Sequence, residues 1–302
     1  MFSALTPTVV IVHYRTLRQT LLAARAVAET APEAEVLVVD NDSRDDIAAG
    51  LAREAPRARL LSEPVNRGYG AACNRGARES VRPYLLFLNS DAYVRPGAVA
   101  ALVAALEADQ RAAAAGPRLV NPDGTPQPSI QRLPSPWKVF CESSGLAALF
   151  GGRGILRGHS ATREDHSRPR AVESLSGAAL LVRRGPFEEG GGFDESFFLY
   201  AEETDLIARL RKSGYRVLFE PRAEVVHEGG ASGGDLRFGD LHAGLARYVR
   251  KHHGRGAGLF VRGTLAAGAA ARYLFALATP GERGHSRRVR YRSALRRAAG
   301  GQ

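Results

Sequence analysis

Residues Tyr84-Leu85-Leu86-Phe87-Leu88 form an uninterrupted apolar run that stops at Asn89-Ser90-Asp91. The run shows no polar alternation, so both faces must be covered, which makes it the central strand of a parallel sheet with helices on each side. Open sheets of this kind take their ligands at the carboxyl ends of their strands, where Asp91 stands. A carboxylate there can hold Mg²⁺ or Mn²⁺, cations that take oxygen ligands and often share them with substrate phosphates. Turn formation and capping of a helix beginning near Pro96 explain the same three residues, so the rest of the chain must decide.

The flanking sequence repeats the strand and helix alternation. Thr8-Val9-Val10-Ile11-Val12-His13-Tyr14 reads as a strand, 17–28 as a helix, and Glu35-Val36-Leu37-Val38-Val39 as a second strand ending in Asp40-Asn41-Asp42-Ser43. That is a βαβ unit, with a right-handed crossover. A second unit follows: a helix near 45–54, a short strand at 58–62, a glycine-rich turn, a helix to Ser80, and then the central strand. The fold class is therefore α/β, an open and mostly parallel sheet flanked by helices. Further on, 112–120 reads as a strand, 121–125 as a hairpin tip, 151–170 as a mobile surface loop able to close over substrate, and 175–182 as a buried strand. Two more strands are expected at 215–219 and 223–227.

Asp40 and Asp91 thus both end strands. Such acids often cap helices, but they also suit a nucleotide, one holding base or ribose and the other a metal. Between them Asn66-Arg67-Gly68-Tyr69-Gly70 and Asn74-Arg75-Gly76 supply small residues where a backbone or a phosphate can approach. This turn matches neither the P-loop pattern nor the dinucleotide fingerprint.

A second chemical stretch is Phe193-Asp194-Glu195-Ser196-Phe197 followed by Tyr200-Ala201-Glu202-Glu203-Thr204-Asp205-Leu206. Acids in a first helical turn suit the macrodipole. Three of them beside aromatic residues are too crowded for capping alone, and repulsion with partial burial would raise a pKa toward that of a general base. His227 ends the final strand and can complete a metal site there.

The net charge is +11, almost all of it arginine, since only Lys138, Lys212 and Lys251 are lysines. From Arg247 onward there is a single acid, Glu282. Excess positive charge favours phosphate or anionic lipid, although a solvated basic tail fits equally. Two cysteines, Cys73 and Cys141, make no disulfide framework, which fits a reducing cytoplasm, and no signal peptide is recognisable. Residues 239–253 read as a helix. The apolar stretch 257–279 is interrupted by Arg262 and Arg272, so it reads as a packed or interfacial helix and not as a membrane span.

Together these pieces resemble the family two glycosyltransferases of GT-A fold, particularly the bacterial rhamnosyltransferase-like branch. The resemblance covers about residues 8–230, and its specificity lies in the ordered set of motifs. It implies a GT-A type mixed sheet over 1–237 and a helical, basic C-terminal extension over 238–302. It further implies that Asp40, Asn66, Arg67, Gly68, Asn74, Asn89 and Asp91 bind a nucleotide-diphosphate sugar. Asp91 and His227 would be the ligands of Mg²⁺ or Mn²⁺. Asn89 stands where a first acid of the metal motif would be, so Asp91 carries most of that contact. Glu203 falls at the position of the base, which is usually aspartate in the family, and Glu202 is the alternative.

The implied activity is metal-dependent, inverting hexosyl transfer, with rhamnose from a dTDP donor as the leading case. The acceptor would be a glycan or lipid-linked saccharide of the cell envelope. The enzyme would be cytoplasmic and peripheral at the inner face of the plasma membrane, with an anionic membrane surface as partner. Two rival classes are a sugar nucleotidyltransferase, which lacks its glycine-and-arginine loop here, and a nucleic-acid binder using the arginine-rich end, which leaves the acids unexplained.

Overall fold

The computed structural model describes residues 5–150, 152, 154–160, 164–229 and 237–298. In chain order its elements are β1 (Thr8–His13), α1 (Leu17–Thr30), β2 (Glu35–Asn41), α2 (Ile47–Glu54), β3 (Arg59–Glu63), α3 (Tyr69–Arg78), β4 (Tyr84–Asn89) and β5 (Ala92–Val94). They continue with α4 (Ala98–Ala108), β6 (Ala112–Val120), β7 (Pro126–Gln127), β8 (Ile130–Gln131), α5 (Pro136–Ser143), α6 (Leu146–Leu149), β9 (Arg170–Ala171) and β10 (Ser174–Leu175). The last are β11 (Ala179–Arg183), α7 (Arg184–Glu189), α8 (Glu202–Lys212), β12 (Arg216–His227), α9 (Phe238–His253), α10 (Arg255–Leu277) and α11 (Gly281–Ala298).

The principal sheet has the order β3-β2-β1-β4-β11-β6-β12-β5. β3, β2, β1 and β4 are parallel, β11 runs antiparallel between β4 and β6, and β12 is parallel to β6. The central apolar run is buried on both faces, as its lack of alternation requires. Leu86 and Leu88 join a core with Val27 of α1, Leu51 of α2 and Leu102 of α4. Phe87 points the other way, its ring 5.2 Å from that of Phe187 and 4.8 Å from that of Phe193. Burying each such side chain stabilises the fold by about 1.5–3 kcal/mol, and edge-to-face rings add to that.

Two local expectations are corrected. The stretch 175–182 is not one strand: β10 pairs with β8 in a separate two-stranded sheet, and β11 enters the principal sheet only after Gly177. Conversely, the two strands expected at 215–219 and 223–227 are one, β12 (Arg216–His227), whose register with β6 shifts between Glu220 and Glu224. Pro221 has no N–H to give to a ladder, so the strand bulges there and continues.

The chain divides into two compact units. The sheet unit comprises 1–131, 162–198 and 202–231. The helical unit takes in 132–161 and 199–201 as well as 232–302, so the single boundary expected between 237 and 238 leaves out its first helices. In that unit Ser135 caps α5 by accepting a hydrogen bond from the Lys138 N–H at 3.2 Å, with Pro136 in the first turn. The expected mobile loop lies partly outside the described residues, at 151, 153 and 161–163. Its described part is bonded down, for Trp137 Nε1 donates to the Ile155 carbonyl at 2.6 Å and the Ser160 N–H donates to Glu142 at 3.0 Å. The terminal arginine-rich stretch is helical, α11, as the expected helical, basic C-terminal extension requires.

Candidate active site

The site is built where the parallel strands end. β1 and β2 pair His13 with Asp40, and β1 and β4 pair Val12 with Asn89, so Asp40 and Asn89 lie two strands apart at one edge. Two strand spacings separate them by about 10 Å. The loops beyond are knitted together: the Arg15 N–H donates to Ser43 Oγ at 3.0 Å, and Thr16 Oγ1 donates to Ser90 Oγ at 3.0 Å. One oxygen of Asp40 accepts from the Ser43 N–H at 2.9 Å, closing the turn, and the residue stays partly exposed.

After Asn89 the chain turns back and β5 pairs with the end of β12, aligning Ala92 with His227. The Glu228 N–H donates to the Asp91 carbonyl, which fixes the two loops to each other. Asp91 is only 4% exposed, and its Oδ1 lies 3.4 Å from Nε2 of His227. Two ligands each about 2.1 Å from one ion at right angles stand about 3 Å apart, so this pair fits a shared divalent cation. Among the described residues no cluster of three or more His, Cys, Asp or Glu is placed to hold a metal.

The orientation of His227 comes from a residue absent from the sequence-based site, Gln127. Its Nε2 donates to the His227 carbonyl and to Asn121 Oδ1, both at 2.6 Å, which turns its Oε1 toward His227 Nδ1 at 3.0 Å. A carboxamide oxygen only accepts, so the network places a proton on Nδ1 and turns Nε2 toward Asp91. That is the ring orientation a metal-bound histidine needs.

Glu203 reaches the same edge by a different route. The Asn89 N–H donates to the Ala178 carbonyl at 2.9 Å, so the start of β11 lies against the end of β4. The preceding Gly177 packs against Glu203, since a Cβ there would come within 2.9 Å of Glu203 Cγ. The two residues leading into α8, Tyr200 and Ala201, both hold left-handed backbone, with φ of 67° and 70°. Left-handed side-chain-bearing residues cost of order 1–3 kcal/mol each and cluster at functional sites.

The three crowded acids separate into three environments. Asp205 is fully buried and receives Arg209 Nε at 2.8 Å, while the same guanidinium donates to the Gly192 carbonyl. It is a bracing residue. Glu202 is 4% exposed, and its Oε2 has no hydrogen-bond partner among the described residues. Burial, then the neighbouring Glu203 charge, raises its pKa well above the ordinary carboxylate range. Glu203 is partly exposed, and desolvation raises its pKa as well. Glu202 is the carboxyl held more strongly toward its neutral form, and Glu203 is the more exposed of the two.

A stability experiment checks this division. A carboxyl whose folded pKa is raised binds its proton more tightly in the native state, so stability is greatest below its unfolded pKa and falls as pH rises toward the folded one. The slope reaches about 1.4 kcal/mol per pH unit. The Glu202→Gln protein is expected to lack most of that fall, so its urea midpoint should gain on the parent's as pH rises above about 5. Parallel pH profiles would show Glu202 to be ionised in the fold.

Several residues assigned to donor binding have structural partners. Asn74 Nδ2 donates to the Phe193 carbonyl at 2.8 Å and to Glu195 Oε1 at 3.2 Å, and its Oδ1 accepts from the Phe193 N–H at 2.9 Å. Its amide therefore braces the 193–195 turn. Asn66 Oδ1 accepts from the Gly68 N–H and from Asn41 Nδ2, both at 2.9 Å, and Arg67 pairs with Glu195 at 3.0 Å. Gly68 has φ +94°, and a Cβ there would lie 2.4 Å from the Phe198 carbonyl oxygen. A backbone, and not a phosphate, makes the close approach that requires glycine. Asn41, which also accepts the Arg67 N–H at 3.2 Å, is the organising residue of this turn.

Comparison with known proteins places the chain in a family. A family model described as Glycosyl transferase family 2 matches residues 8–191. An N-acetylglucosaminyl-diphospho-decaprenol L-rhamnosyltransferase of Mycobacterium tuberculosis is 35% identical over 220 residues, covering 68% of this chain and 70% of the relative. The O-antigen biosynthesis protein RfbC of Myxococcus xanthus is 30% identical over 72% of this chain, but only 16% of that protein's length is covered. Among solved structures, a mannosyltransferase from Pyrobaculum calidifontis in complex with GDP-Man and Mn²⁺ superposes with a TM-score of 0.59 at 17% identity, over 97% of this chain and 86% of that one. GalNAc-T7 with UDP, GalNAc and Mn²⁺ gives 0.55 at 19% identity, over 74% of this chain and 43% of that one. These structural likenesses show a shared GT-A fold, and the sequence matches settle the lineage: the chain belongs to glycosyl transferase family 2.

Proposed function

We propose that the protein transfers a hexose, with rhamnose from a dTDP donor as the leading case, onto a hydroxyl of a glycan or lipid-linked saccharide, with inversion at the anomeric carbon. The observation that carries this is the meeting of Asp91 with His227 at the strand-end edge shared by Asp40 and bordered by Glu203. The name of the mycobacterial relative, a rhamnosyltransferase acting on a diphospho-decaprenol acceptor, supports the choice of sugar and acceptor class.

In this reading Asp40 meets the base or ribose, with the Asn66, Arg67 and Gly68 turn beside it, and the donor's diphosphate lies along Asn89 toward Asp91. Asp91 and His227 would hold Mg²⁺ or Mn²⁺, and the cation would supply charge neutralisation for the departing diphosphate. Glu203 takes the proton from the acceptor hydroxyl. The oxygen then attacks the anomeric carbon from the face opposite the diphosphate, and the electron pair of the breaking C–O bond departs with the nucleotide. One displacement of this kind passes through an oxocarbenium-like state and inverts the centre without a covalent enzyme intermediate. The proposed setting is the inner face of the plasma membrane, where the enzyme is peripheral.

Incubating the protein with a panel of nucleotide sugars and a lipid-linked N-acetylglucosaminyl diphosphate, with and without chelator, tests the reading. The expected product carries one added hexose of inverted configuration by NMR. Retention of configuration, or pyrophosphate released from a nucleoside triphosphate and a sugar phosphate, would replace it. The Gln127 network adds a narrower expectation: Gln127→Leu should weaken Mn²⁺ binding about 10–100-fold by calorimetry while the fold persists. Unchanged affinity would mean that His227 needs no help to present Nε2.

A further inference from the structure

α10 buries Gly258, Val261, Leu265, Ala269 and Ala276 along one face. At 100° per residue, its opposite face carries Leu259, Phe260, Ala267, Ala271, Leu274 and Phe275 within an arc of about 160°. Four of these are large and open to solvent: Leu259 is 68% exposed, Phe260 50%, Leu274 66% and Phe275 72%. No charged residue falls inside the arc, and Arg255 and Arg262 border it on one side and Arg272 on the other. The face runs for about 24 Å along the helix. It continues onto α5, where the Phe140 ring lies 6.1 Å from Phe260 and Trp137 stacks on Phe140 at 5.5 Å. Trp137 is itself 49% exposed. A contiguous apolar surface of this length on a soluble fold marks a contact with something else.

Charge selects the partner. From Arg247 onward the chain has twelve arginines and one lysine against Glu282 alone. α11 lies along α10, its Arg288 donating to the Ala276 carbonyl at 3.1 Å, and it exposes Arg283, Arg287, Arg290, Arg292 and Arg296. A second copy placed on this face would bring the same positive charge against it, whereas an anionic lipid surface is complementary. Among the described residues no helix is long and apolar enough to cross a membrane, so α10 is suited to lie in the interface. We propose that the outer face of α10, extended by Trp137, is the surface on which the helical unit beds into the headgroup region of an anionic bilayer. This deepens the peripheral-membrane reading above and rests on it.

Trp137 is the only tryptophan in the chain, so its emission reports the contact directly. With phosphatidylcholine vesicles containing phosphatidylglycerol, the protein should co-float, its emission should shift to the blue, and brominated lipid should quench it. The triple variant Leu259→Glu, Leu274→Glu, Phe275→Glu changes exposed positions only, and circular dichroism verifies its fold. Its partitioning should fall by about 100-fold or more. Equal partitioning of variant and parent would overturn the proposal, as would salt-reversible binding with unchanged tryptophan emission, which would assign the contact to the arginines alone. A dimer that sediments as such, dissolves in the triple variant and ignores vesicles would give the face to a second copy. Transfer to a short-chain soluble acceptor separates the two readings: bilayer insertion by a protein that transfers no sugar would uphold this proposal and remove the catalytic one.

Discussion

Glu203→Gln is expected to lower sugar transfer by about 10²–10⁴-fold while leaving the affinity for the donor near its original value. Glutamine keeps the size of the side chain and its place against Gly177 but has no site of adequate basicity for the acceptor proton. A drop in kcat with donor Kd preserved is the pattern of an interaction made in the transition state alone. Glu202→Gln is the matched control: that carboxyl is buried with an orphan oxygen and is neutral on the argument above, so removing its ability to ionise should leave turnover near that of the parent. If the two variants exchange these behaviours, the base is Glu202, and a conformational change must expose it. Glu203→Asp restores the residue type more usual in the family but withdraws the carboxylate by one methylene. It should recover part of the rate, because general-base catalysis depends on reach first and basicity second.

The central strand and the acid types of the site were legible in the sequence because each leaves a local mark. An unbroken run such as 84–88 can only be covered on both faces, and the structure covers it with Leu86 and Leu88 on one side and Phe87 on the other. Asp91 and His227 were recognisable because few side chains bind divalent cations and both stand at strand ends. What escaped was whatever depends on the partner and not on the residue type. Gln127 is an ordinary amide two positions past a turn, and only the return of β12 one hundred residues later gives it His227 to orient. Asn74 sits in a glycine-rich turn that looks made for a phosphate, but its side chain answers to the Phe193 backbone across a long sequence separation. α5 differs again: Ser135 followed by Pro136 is a local helix-start signal, but it stands outside the alternation of strands and helices that marks the sheet. Loss of the Gln127 contact would also act only through His227, which is why its expected effect is smaller than that of the ligands themselves.

Asp91→Ala should produce the broadest loss of any single substitution in the site, because it removes the proposed anionic ligand and leaves His227 to hold a dication with no third His, Cys, Asp or Glu placed to help among the described residues. A cation that stabilises the departing diphosphate by several kcal/mol implies a fall in kcat/KM of about 10³-fold or more. Two measurements separate this from the loss of a base. Mn²⁺ binding, followed by electron paramagnetic resonance without any nucleotide, should be abolished in Asp91→Ala and intact in Glu203→Gln. Donor binding should weaken in the first and persist in the second, since the diphosphate depends on the cation and not on Glu203. His227→Ala should lie between them, for it removes one ligand but keeps the carboxylate that carries the charge. Turnover by Asp91→Ala that matched the parent and ignored a chelator would show that diphosphate departure is assisted by fixed cationic side chains, and the pairing of Asp91 with His227 would then be an ordinary ion pair closing the edge of the sheet.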